Sequence, residues 1–358
     1  MTSFTESVRV VGAGLLGTSI GLALTKQGVD VVIASQSAKS VDLAVQYGAG
    51  REARDTDAPD LIVVCVPPQL TAKIVAQELA NFPDAIVTDV ASVKLSVLNE
   101  LIQLDAPIER YVGSHPMAGR ERGGAIAGRA DLFVGRPWVI TPNEKSKAEG
   151  VSLLRRLALA LESSVVEISA ADHDRAVALV SHVPQLVSSL LAARLVEANG
   201  KDVALAGQGL RDTTRIAASD PELWMQIFAA NSAEVTQVLK QYQEDLQDVI
   251  SALADLENAD NFKTVEAALQ AGNQGIEKIP GKHGSKHSTY AQIVVMIDDQ
   301  PGELARLLTE VGESGINLEE LKLEHSPSAQ IGLVELYVLP SAEQILIEEL
   351  LARGWRIA

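Results

Sequence analysis

The sequence predicts an α/β protein with a doubly wound parallel sheet, followed by an all-helical region and a C-terminal unit of order β-α-β-β-α-β. Short β-branched runs alternate with helical apolar spacing in the first part of the chain, and helical spacing alone follows. Strand and helix patterns return near the C-terminus. Buried strands that alternate with helices are typical of a parallel sheet covered by helices. The 358 residues are therefore divided into domains 1–169 and 170–273, a linker 274–289, and a domain 290–358.

The first domain contains six candidate strands, each a short run rich in Val, Ile and other apolar residues. They are Ser7–Val11, Asp30–Ala34, Asp60–Val66, Ala85–Val90, Tyr111–Ser114 and Pro137–Thr141. Helical spacing lies between several of them, at Leu15–Gln27, Gln69–Ala80 and Val93–Gln103. The unbroken apolar run within 60–66 predicts a strand buried on both faces.

The second domain shows no strand pattern. His173–Asn199 and Pro221–Leu256 are long amphipathic stretches, and Asp220 before Pro221 is a strong N-cap signal. These helices carry more apolar surface than one helical layer needs, so we expect a homodimer whose interface is formed mainly by this domain.

The linker 274–289 lacks periodicity and is rich in Gly, Lys, His and Ser. After it, strands are predicted at 290–297, 317–325, 331–339 and 355–357, with helices at 302–314 and 342–352. This order is that of the split, ferredoxin-like βαββαβ arrangement.

Composition excludes several classes of protein. A formal net charge of −17 disfavours nucleic acid and anionic membranes as partners. The longest apolar run, at 61–66, is too short to span a bilayer, and the N-terminus lacks the pattern of a signal peptide. Cys65 is the one cysteine, so neither an internal disulfide nor a cysteine metal site is possible. We therefore expect a cytoplasmic protein.

A glycine motif follows the first strand and opens the first helix. Gly12, Gly14 and Gly17 form GxGxxG, with Leu15 and Leu16 between the last two. In a strand–turn–helix setting this spacing predicts a Rossmann-type site that binds a dinucleotide pyrophosphate at the helix start. Ser35 stands where an acidic residue usually binds the ribose of NAD, so the sequence leaves NAD and NADP both open.

Four further segments occur in a fixed order. They are DVASVK at 89–94, SHPMAG at 114–119, SHVP at 181–184 and TRIAASDPELW at 214–224. With the glycine motif, they make the chain resemble the prephenate dehydrogenases of bacterial tyrosine biosynthesis over about residues 7–273. Residues 290–358 resemble an ACT domain, the amino-acid-sensing module that some members of that family carry.

The resemblance implies oxidative decarboxylation of prephenate with NAD or NADP, giving 4-hydroxyphenylpyruvate. The close alternative is arogenate dehydrogenase, whose substrate carries an amino group in place of the ketone. A hypothesis of another class is an inactive protein that binds an amino acid. The intact set of motif residues argues against this third hypothesis.

The resemblance also implies roles for particular residues. His115 would accept a hydrogen bond from the substrate hydroxyl, and Ser92 would bond both to this histidine and to the hydroxyl. Arg215 would bind a substrate carboxylate, which suits the planar guanidinium fork. The remaining expected substrate-site residues are His182, Glu121, which relatives place at the pocket mouth, Asp212 and Trp224.

In ACT domains effectors bind where the loop after the first strand meets the first helix. Here this loop contains Asp299, Pro301 and Gly302, and Asn317 at the next strand is a second candidate. The resemblance implies tyrosine as the effector, although a purely structural or dimerising module stays open.

Two other chemistries have weaker support in the sequence. Lys94 suggests the β-hydroxyacid dehydrogenases, but their catalytic lysine belongs to a Gly-rich helix of the second domain, which this sequence lacks. No metal site is expected. His173 with Asp172 and Asp174 resembles a ligand cluster, yet this segment is better explained as a helix start with acidic residues near the dipole.

Overall fold

The structure is a computed structural model that describes residues 4–119, 123–280, 290–325 and 331–358. It divides into two compact units, residues 1–244 and 245–358, with the boundary inside the helix Ser232–Leu253. The first unit contains the sheet region and the first helices of the helical region. Buried hydrogen bonds join these two regions across residue 169.

The first unit is built on a five-stranded parallel sheet. Its strands are β1 (Val8–Val11), β2 (Val31–Ala34), β3 (Arg51–Glu52), β4 (Leu61–Val64) and β5 (Ile86–Asp89), in the order β3-β2-β1-β4-β5. Every residue of β4 is buried, as its continuous apolar run predicts. The helices that connect and cover the strands are α1 (Leu15–Thr25), α2 (Ala38–Gln46), α3 (Pro68–Asn81) and α4 (Leu95–Gln103). The predicted Rossmann-like sheet is thereby confirmed.

Three later strands form a separate sheet, which corrects the expectation that all strands join one parallel sheet. They are β6 (Gly113–Pro116), β7 (Pro137–Thr141) and β8 (Ser164–Glu167), with helix α5 (Ala148–Ala160) between β7 and β8. β6 is antiparallel to β7, whereas β7 is parallel to β8. β6 begins two residues later than predicted because Tyr111 makes only an isolated bridge, to Val87.

The helical region follows Ser169, whose side chain caps the next helix by accepting from the backbone of Asp172. Its elements are α6 (Ala170–Val177), a π-helical turn (Ala178–His182), α7 (Val183–Ala193), α8 (Gly200–Val203), α9 (Gln208–Thr214), a 3-10 turn (Arg215–Ala217), α10 (Pro221–Ala230) and α11 (Ser232–Leu253). α10 begins as predicted, with Pro221 at its first position and the side chain of Asp220 accepting from the backbone of Glu222.

The second unit contains α12 (Ala259–Ile276) and the C-terminal elements. These are β9 (Ala291–Asp298), α13 (Glu303–Glu313), β10 (Glu320–His325), β11 (Ile331–Val338), α14 (Glu343–Ala352) and β12 (Arg356–Ile357). The sheet is antiparallel, with the order β10-β11-β9-β12. The predicted βαββαβ order is therefore present. The predicted linker starts too early, because residues 274–276 continue α12; its residues 281–289 lie outside the described residues.

One stretch, Ala170–Ala193, is long and apolar enough to cross a membrane by length and composition alone, with a mean hydropathy of 1.6. The core helix of a soluble protein passes the same test. This stretch carries His173, Asp174 and His182, which are buried and hydrogen-bonded to other elements of the first unit. One face of the stretch is therefore packed inside the first unit, although only 33 % of the apolar window is buried.

Candidate active site

His115 lies on β6, beside a buried cluster of polar side chains. Lys94, which is 1 % exposed, forms an ion pair with Asp89 and donates to the backbone oxygen of Ser114 at 2.8 Å. The hydroxyl of Tyr111 donates to the other carboxylate oxygen of Asp89 at 2.6 Å. These bonds fix the backbone of β6 immediately before His115. The ammonium of Lys94 therefore stabilises this strand through its bonds to Asp89 and to the backbone of Ser114.

The half-buried ring of His115 contacts a second histidine, which was not among the predicted site residues. Nδ1 of His115 lies 2.9 Å from Nε2 of His173, and the two rings meet edge to face. His173 is fully buried. The interpretation of residues 172–174 as acidic groups near a helix start therefore holds for Asp172, in the first turn of α6, but not for His173 and Asp174.

Burial holds the pKa of His115 well below its ordinary value, and His173, Lys94 and His182 lower it further. Each of these neighbours disfavours a second positive charge at the site. The imidazole is consequently neutral near pH 7, which is the state that a proton acceptor needs.

Asp174 joins the helical region to the start of α4. Its Oδ1 accepts from the backbone nitrogen of Lys94 at 2.8 Å, and its Oδ2 accepts from that of Leu95 at 2.9 Å. The same Oδ1 lies 2.7 Å from Nδ1 of His173. A carboxylate at a helix N-terminus bonds N–H groups that lack partners within the helix.

Asn231 connects Asp174 to His182. Its Nδ2 donates to the backbone oxygen of Asp174 at 2.8 Å and lies 3.2 Å from Nδ1 of His182. Because an amide nitrogen can only donate, Nδ1 of His182 accepts, and the neutral ring carries its proton on Nε2. Burial lowers the pKa of His182 to about 4. This ring is therefore a neutral hydrogen-bond donor near pH 7.

The local backbone at His182 is irregular for a reason visible in the sequence. Pro184 has no N–H to donate one turn back, and the π-helical turn Ala178–His182 precedes it. Such turns frequently occur at functional sites. The ring centroid of His182 lies 6.1 Å from that of Trp224 on α10, so the structure brings these two predicted site residues together.

The other predicted substrate-site residues lie as follows. Ser92 is half-buried in the loop between β5 and α4, two residues before Lys94. Arg215 is exposed in the 3-10 turn after α9. Asp212 is exposed and accepts from Gln208 on its own helix at 2.9 Å. Glu121 lies outside the described residues.

The glycine motif forms one side of a cavity of about 480 Å³. Gly12 has a φ of 115°, and a Cβ there would lie 2.2 Å from the backbone oxygen of Cys65. A Cβ on Gly17 would lie 1.9 Å from the oxygen of Gly12, whereas a Cβ on Gly14 would meet no atom within 4 Å. Gly12 and Gly17 thus permit close packing, and Gly14 leaves open space at the start of α1, where Leu15 and Leu16 follow. This arrangement fits a dinucleotide pyrophosphate.

The same cavity is also lined by Ser35, Gln36 and Ser40. Ser37 caps α2 by accepting from the backbone of Ser40 at 3.2 Å. The residues that follow β2 thus present hydroxyl and amide groups where an acidic residue would favour NAD. Cys65 also lines the cavity, and burial raises the pKa of its thiol, which makes it a poor nucleophile.

In the second unit, the predicted effector loop precedes α13. Gly302 has a φ of 97° and occupies the N-cap position of α13. Among the described residues, no side chain forms a capping hydrogen bond at this helix start. Asp299 and Pro301 are exposed in this loop, and Nδ2 of Asn317 donates to Glu319 at 3.2 Å. Among the described residues of the whole chain, no group of three or more His, Cys, Asp or Glu could hold a metal ion.

Two family models match this chain, one over most of the sheet region and one over most of the helical region. Residues 20–167 match the family described as prephenate dehydrogenase, nucleotide-binding domain. Residues 169–266 match the prephenate dehydrogenase dimerization domain. These matches cover well over half of the 358 residues.

Individual relatives agree with the family models. The chain is 34 % identical over 353 residues to the probable prephenate dehydrogenase NovF of Streptomyces niveus, covering 97 % of this chain and 98 % of the relative. A solved structure of A. aeolicus prephenate dehydrogenase with hydroxyphenyl propionate and NAD+ is 25 % identical, with a TM-score of 0.69, over 77 % of this chain and 99 % of that one. Arogenate dehydrogenase from Synechocystis is 28 % identical, with a TM-score of 0.63, over 75 % and 99 %. The chain belongs to the prephenate dehydrogenase family, as its motifs predicted.

Proposed function

We propose that this chain catalyses the oxidative decarboxylation of prephenate to 4-hydroxyphenylpyruvate. The C4–H bond breaks as its hydride moves to the nicotinamide, the bond from the ring to its carboxylate breaks, and CO2 leaves. The hydroxyl proton moves to His115 and returns to the phenolate oxygen of the product, so no proton is gained or lost overall. The aromatic ring that forms makes the reaction irreversible.

The observation that carries this proposal is the neutral imidazole of His115 beside His173. Its lowered pKa keeps a lone pair available near pH 7. A base positioned within reach of the hydroxyl contributes about 10²–10⁴ in rate. Ser92, in the neighbouring loop, is proposed to orient the same hydroxyl.

NAD or NADP is proposed to bind in the cavity at the glycine motif, with its pyrophosphate at Gly12, Gly14 and Gly17 and its ribose near Ser35. When bound, the oxidised nicotinamide supplies the hydride acceptor. NAD has the direct support of the A. aeolicus relative, whose solved structure contains NAD+.

The substrate carries two carboxylates that must be held. Arg215 is proposed to bind one through its guanidinium, and His182 offers an Nε2–H donor because its Nδ1 accepts from Asn231. Trp224 lies edge-on to His182 and is proposed to line the pocket. Asp212 is proposed to line or order the pocket, and Glu121, which lies outside the described residues, to act at the pocket mouth.

Arogenate is a second candidate substrate, because the Synechocystis relative is an arogenate dehydrogenase. The deciding experiment offers prephenate and arogenate separately, each with NAD+ and with NADP+, and follows the absorbance of the reduced nicotinamide. The proposal expects turnover of prephenate with NAD+. Turnover of arogenate alone would identify the second candidate, and no turnover in any combination would support an inactive amino-acid-binding protein.

A homodimer is proposed for the helical domain, 170–273, because residues 169–266 match a dimerization domain. Large apolar side chains are exposed there in the single chain, including Val196 at 83 % and Leu205 at 85 %. Light scattering at micromolar concentration is expected to give about twice the chain mass of 38.0 kDa.

Residues 290–358 are proposed to form an ACT regulatory domain, separate from the nucleotide-binding domain at 1–169. Its βαββαβ order and antiparallel sheet support this assignment. Tyrosine is proposed as the effector, with its carboxylate near the start of α13 at Gly302 and further contacts to Asp299, Pro301 and Asn317. A cytoplasmic location, where a biosynthetic enzyme of this acidic composition would act, completes the proposal.

A further inference from the structure

A chain of three side chains ends at His115. Nδ1 of His115 lies 2.9 Å from Nε2 of His173, and Nδ1 of His173 lies 2.7 Å from Oδ1 of Asp174. Both nitrogens of the fully buried His173 are therefore engaged, as is the inner nitrogen of His115. Only Nε2 of His115 lies beyond this chain of contacts.

The direction of each hydrogen bond follows from its donor and acceptor groups. Oδ1 of Asp174 already accepts from the backbone N–H of Lys94 at 2.8 Å, so Nδ1 of His173 is the donor to it. A neutral imidazole has one N–H, which leaves Nε2 of His173 as an acceptor. For two neutral rings, Nδ1 of His115 must then donate, and Nε2 of His115 carries the free lone pair.

We propose that His173 and Asp174 are positioning residues that hold His115 in the tautomer with its proton on Nδ1, so that Nε2 is the base. The inference rests on the proposed role of His115 in the reaction. In the other tautomer Nε2 would already carry a proton and could not accept the hydroxyl proton of the substrate.

The pair also responds to the charge that the reaction creates. When the hydroxyl O–H bond breaks and the proton binds Nε2, His115 becomes an imidazolium that still donates from Nδ1 to His173. His173 in turn donates to the carboxylate of Asp174, which is the negative group at the end of this chain. Lys94 opposes a positive charge on this ring, so the carboxylate of Asp174 is the compensating group.

Asp174 also has a structural task, because it bonds the first N–H groups of α4. Substitution of Asp174 would mix the two effects, so the test uses His173. His173→Gln places an amide oxygen near the position of Nε2, where it can accept from His115. His173→Asn places an amide nitrogen near the position of Nδ1, where it can donate to Asp174 but cannot reach His115.

We expect His173→Asn to lower kcat by about 10²-fold at nearly unchanged KM, because the base then samples both tautomers and loses its charge partner. His173→Gln should recover at least about tenfold of this loss, since it restores the acceptor. If His173 has only a structural role, kcat should instead decrease in parallel with the thermal stability of the two variants. Equal kcat for His173→Asn and the unsubstituted enzyme would overturn the inference.

The direct measurement is the tautomer of His115 in the full-length enzyme without substrate. The protein is labelled with ¹⁵N-histidine, long-range ¹H–¹⁵N spectra are recorded above the imidazole titration range, and the signal is assigned by its loss in His115→Asn. The inference expects a protonated Nδ1 and an unprotonated Nε2. A protonated Nε2 would overturn it whether or not the variants fold. If the proposed role of His115 as the base is itself wrong, turnover will be unchanged in His115→Asn. This outcome is distinct from the tautomer result.

Discussion

Oδ1 of Asp174 lies 2.8 Å from the backbone nitrogen of Lys94, although 80 residues separate them in the chain. This bond joins the first turn of α4 to α6. Through it, the loop that contains Ser92 and the strand that contains His115 are held against the helical region. The arrangement explains why residues 1–244 form one compact unit.

Arg215 is expected to act in substrate binding. Arg215→Ala should raise KM about 10- to 150-fold, because a hydrogen bond to a charged carboxylate contributes about 1.5–3 kcal/mol. Steady-state kinetics with prephenate measures the change. Arg211→Ala, which removes an exposed arginine from the neighbouring helix α9, is the matched control and should leave KM unchanged. An unchanged KM with reduced thermal stability in Arg215→Ala would make Arg215 structural.

Ser35 is expected to set the preference between the two dinucleotides. Ser35→Asp should favour NAD over NADP, because an acidic side chain accepts from the ribose hydroxyl and repels a 2′-phosphate. The ratio of kcat/KM with the two cofactors measures this. Ser37→Asp adds the same charge outside the lining of the cavity and preserves the cap of α2, so its effect should be smaller. Equal ratios in Ser35→Asp and the unsubstituted enzyme would refute the assignment.

His182 should make the fold less stable in acid. Burial lowers its pKa to about 4 in the folded state, against about 6.5 in an unfolded chain. Between these pH values only the unfolded state binds the proton, so stability falls as the pH decreases through this window. The contribution of His182 is about 3 kcal/mol.

Urea unfolding at about pH 7 and about pH 4, at fixed protein concentration, tests this estimate. His182→Asn should lose less stability between the two pH values than the unsubstituted protein. The carboxyl groups and His115 titrate in both proteins, so the difference isolates His182. Equal losses would show that His182 is protonated as readily in the folded state as in the unfolded chain.

The C-terminal domain should be dispensable for catalysis but required for regulation. A stop codon in place of Lys286 removes residues 290–358 and preserves every residue assigned to cofactor and substrate. Titration of tyrosine at fixed prephenate is expected to inhibit the full-length enzyme and not the truncated one. If the truncated enzyme is equally sensitive, tyrosine binds at the active site as a product analogue.

Local sequence signals predicted most of the fold. The β-branched runs of β1, β2 and β4 and the Asp220-Pro221 helix start depend on neighbouring residues only, and the structure confirms them. β3 and β8 were missed because the first has two charged residues and the second is short and mostly exposed. The separate second sheet could not be foreseen, since strand pairing is decided by contacts distant in sequence.

Site residues that lie in sequence motifs were predicted, whereas the site residue that depends on contacts between distant elements was missed. His115 directly precedes Pro116, and His182 lies two residues before Pro184, both within recognisable motifs. His173 lies in a segment that a helix start alone would also explain. Its role depends on α6 packing against α4, which no local pattern records. The one signal in the sequence is that His173 lies between Asp172 and Asp174, either of which could bond its ring if the ring is buried.

The central claim is that His115 is the base of the reaction, and a single-turnover experiment tests it most directly. Excess enzyme is mixed rapidly with prephenate and NAD+, and formation of reduced nicotinamide is followed for the unsubstituted enzyme and for His115→Asn. If His115 is the base, the rate should be about 10²–10⁴ lower in the variant, while the fold and the dinucleotide affinity stay unchanged. A rate within threefold or so of the unsubstituted enzyme would contradict it.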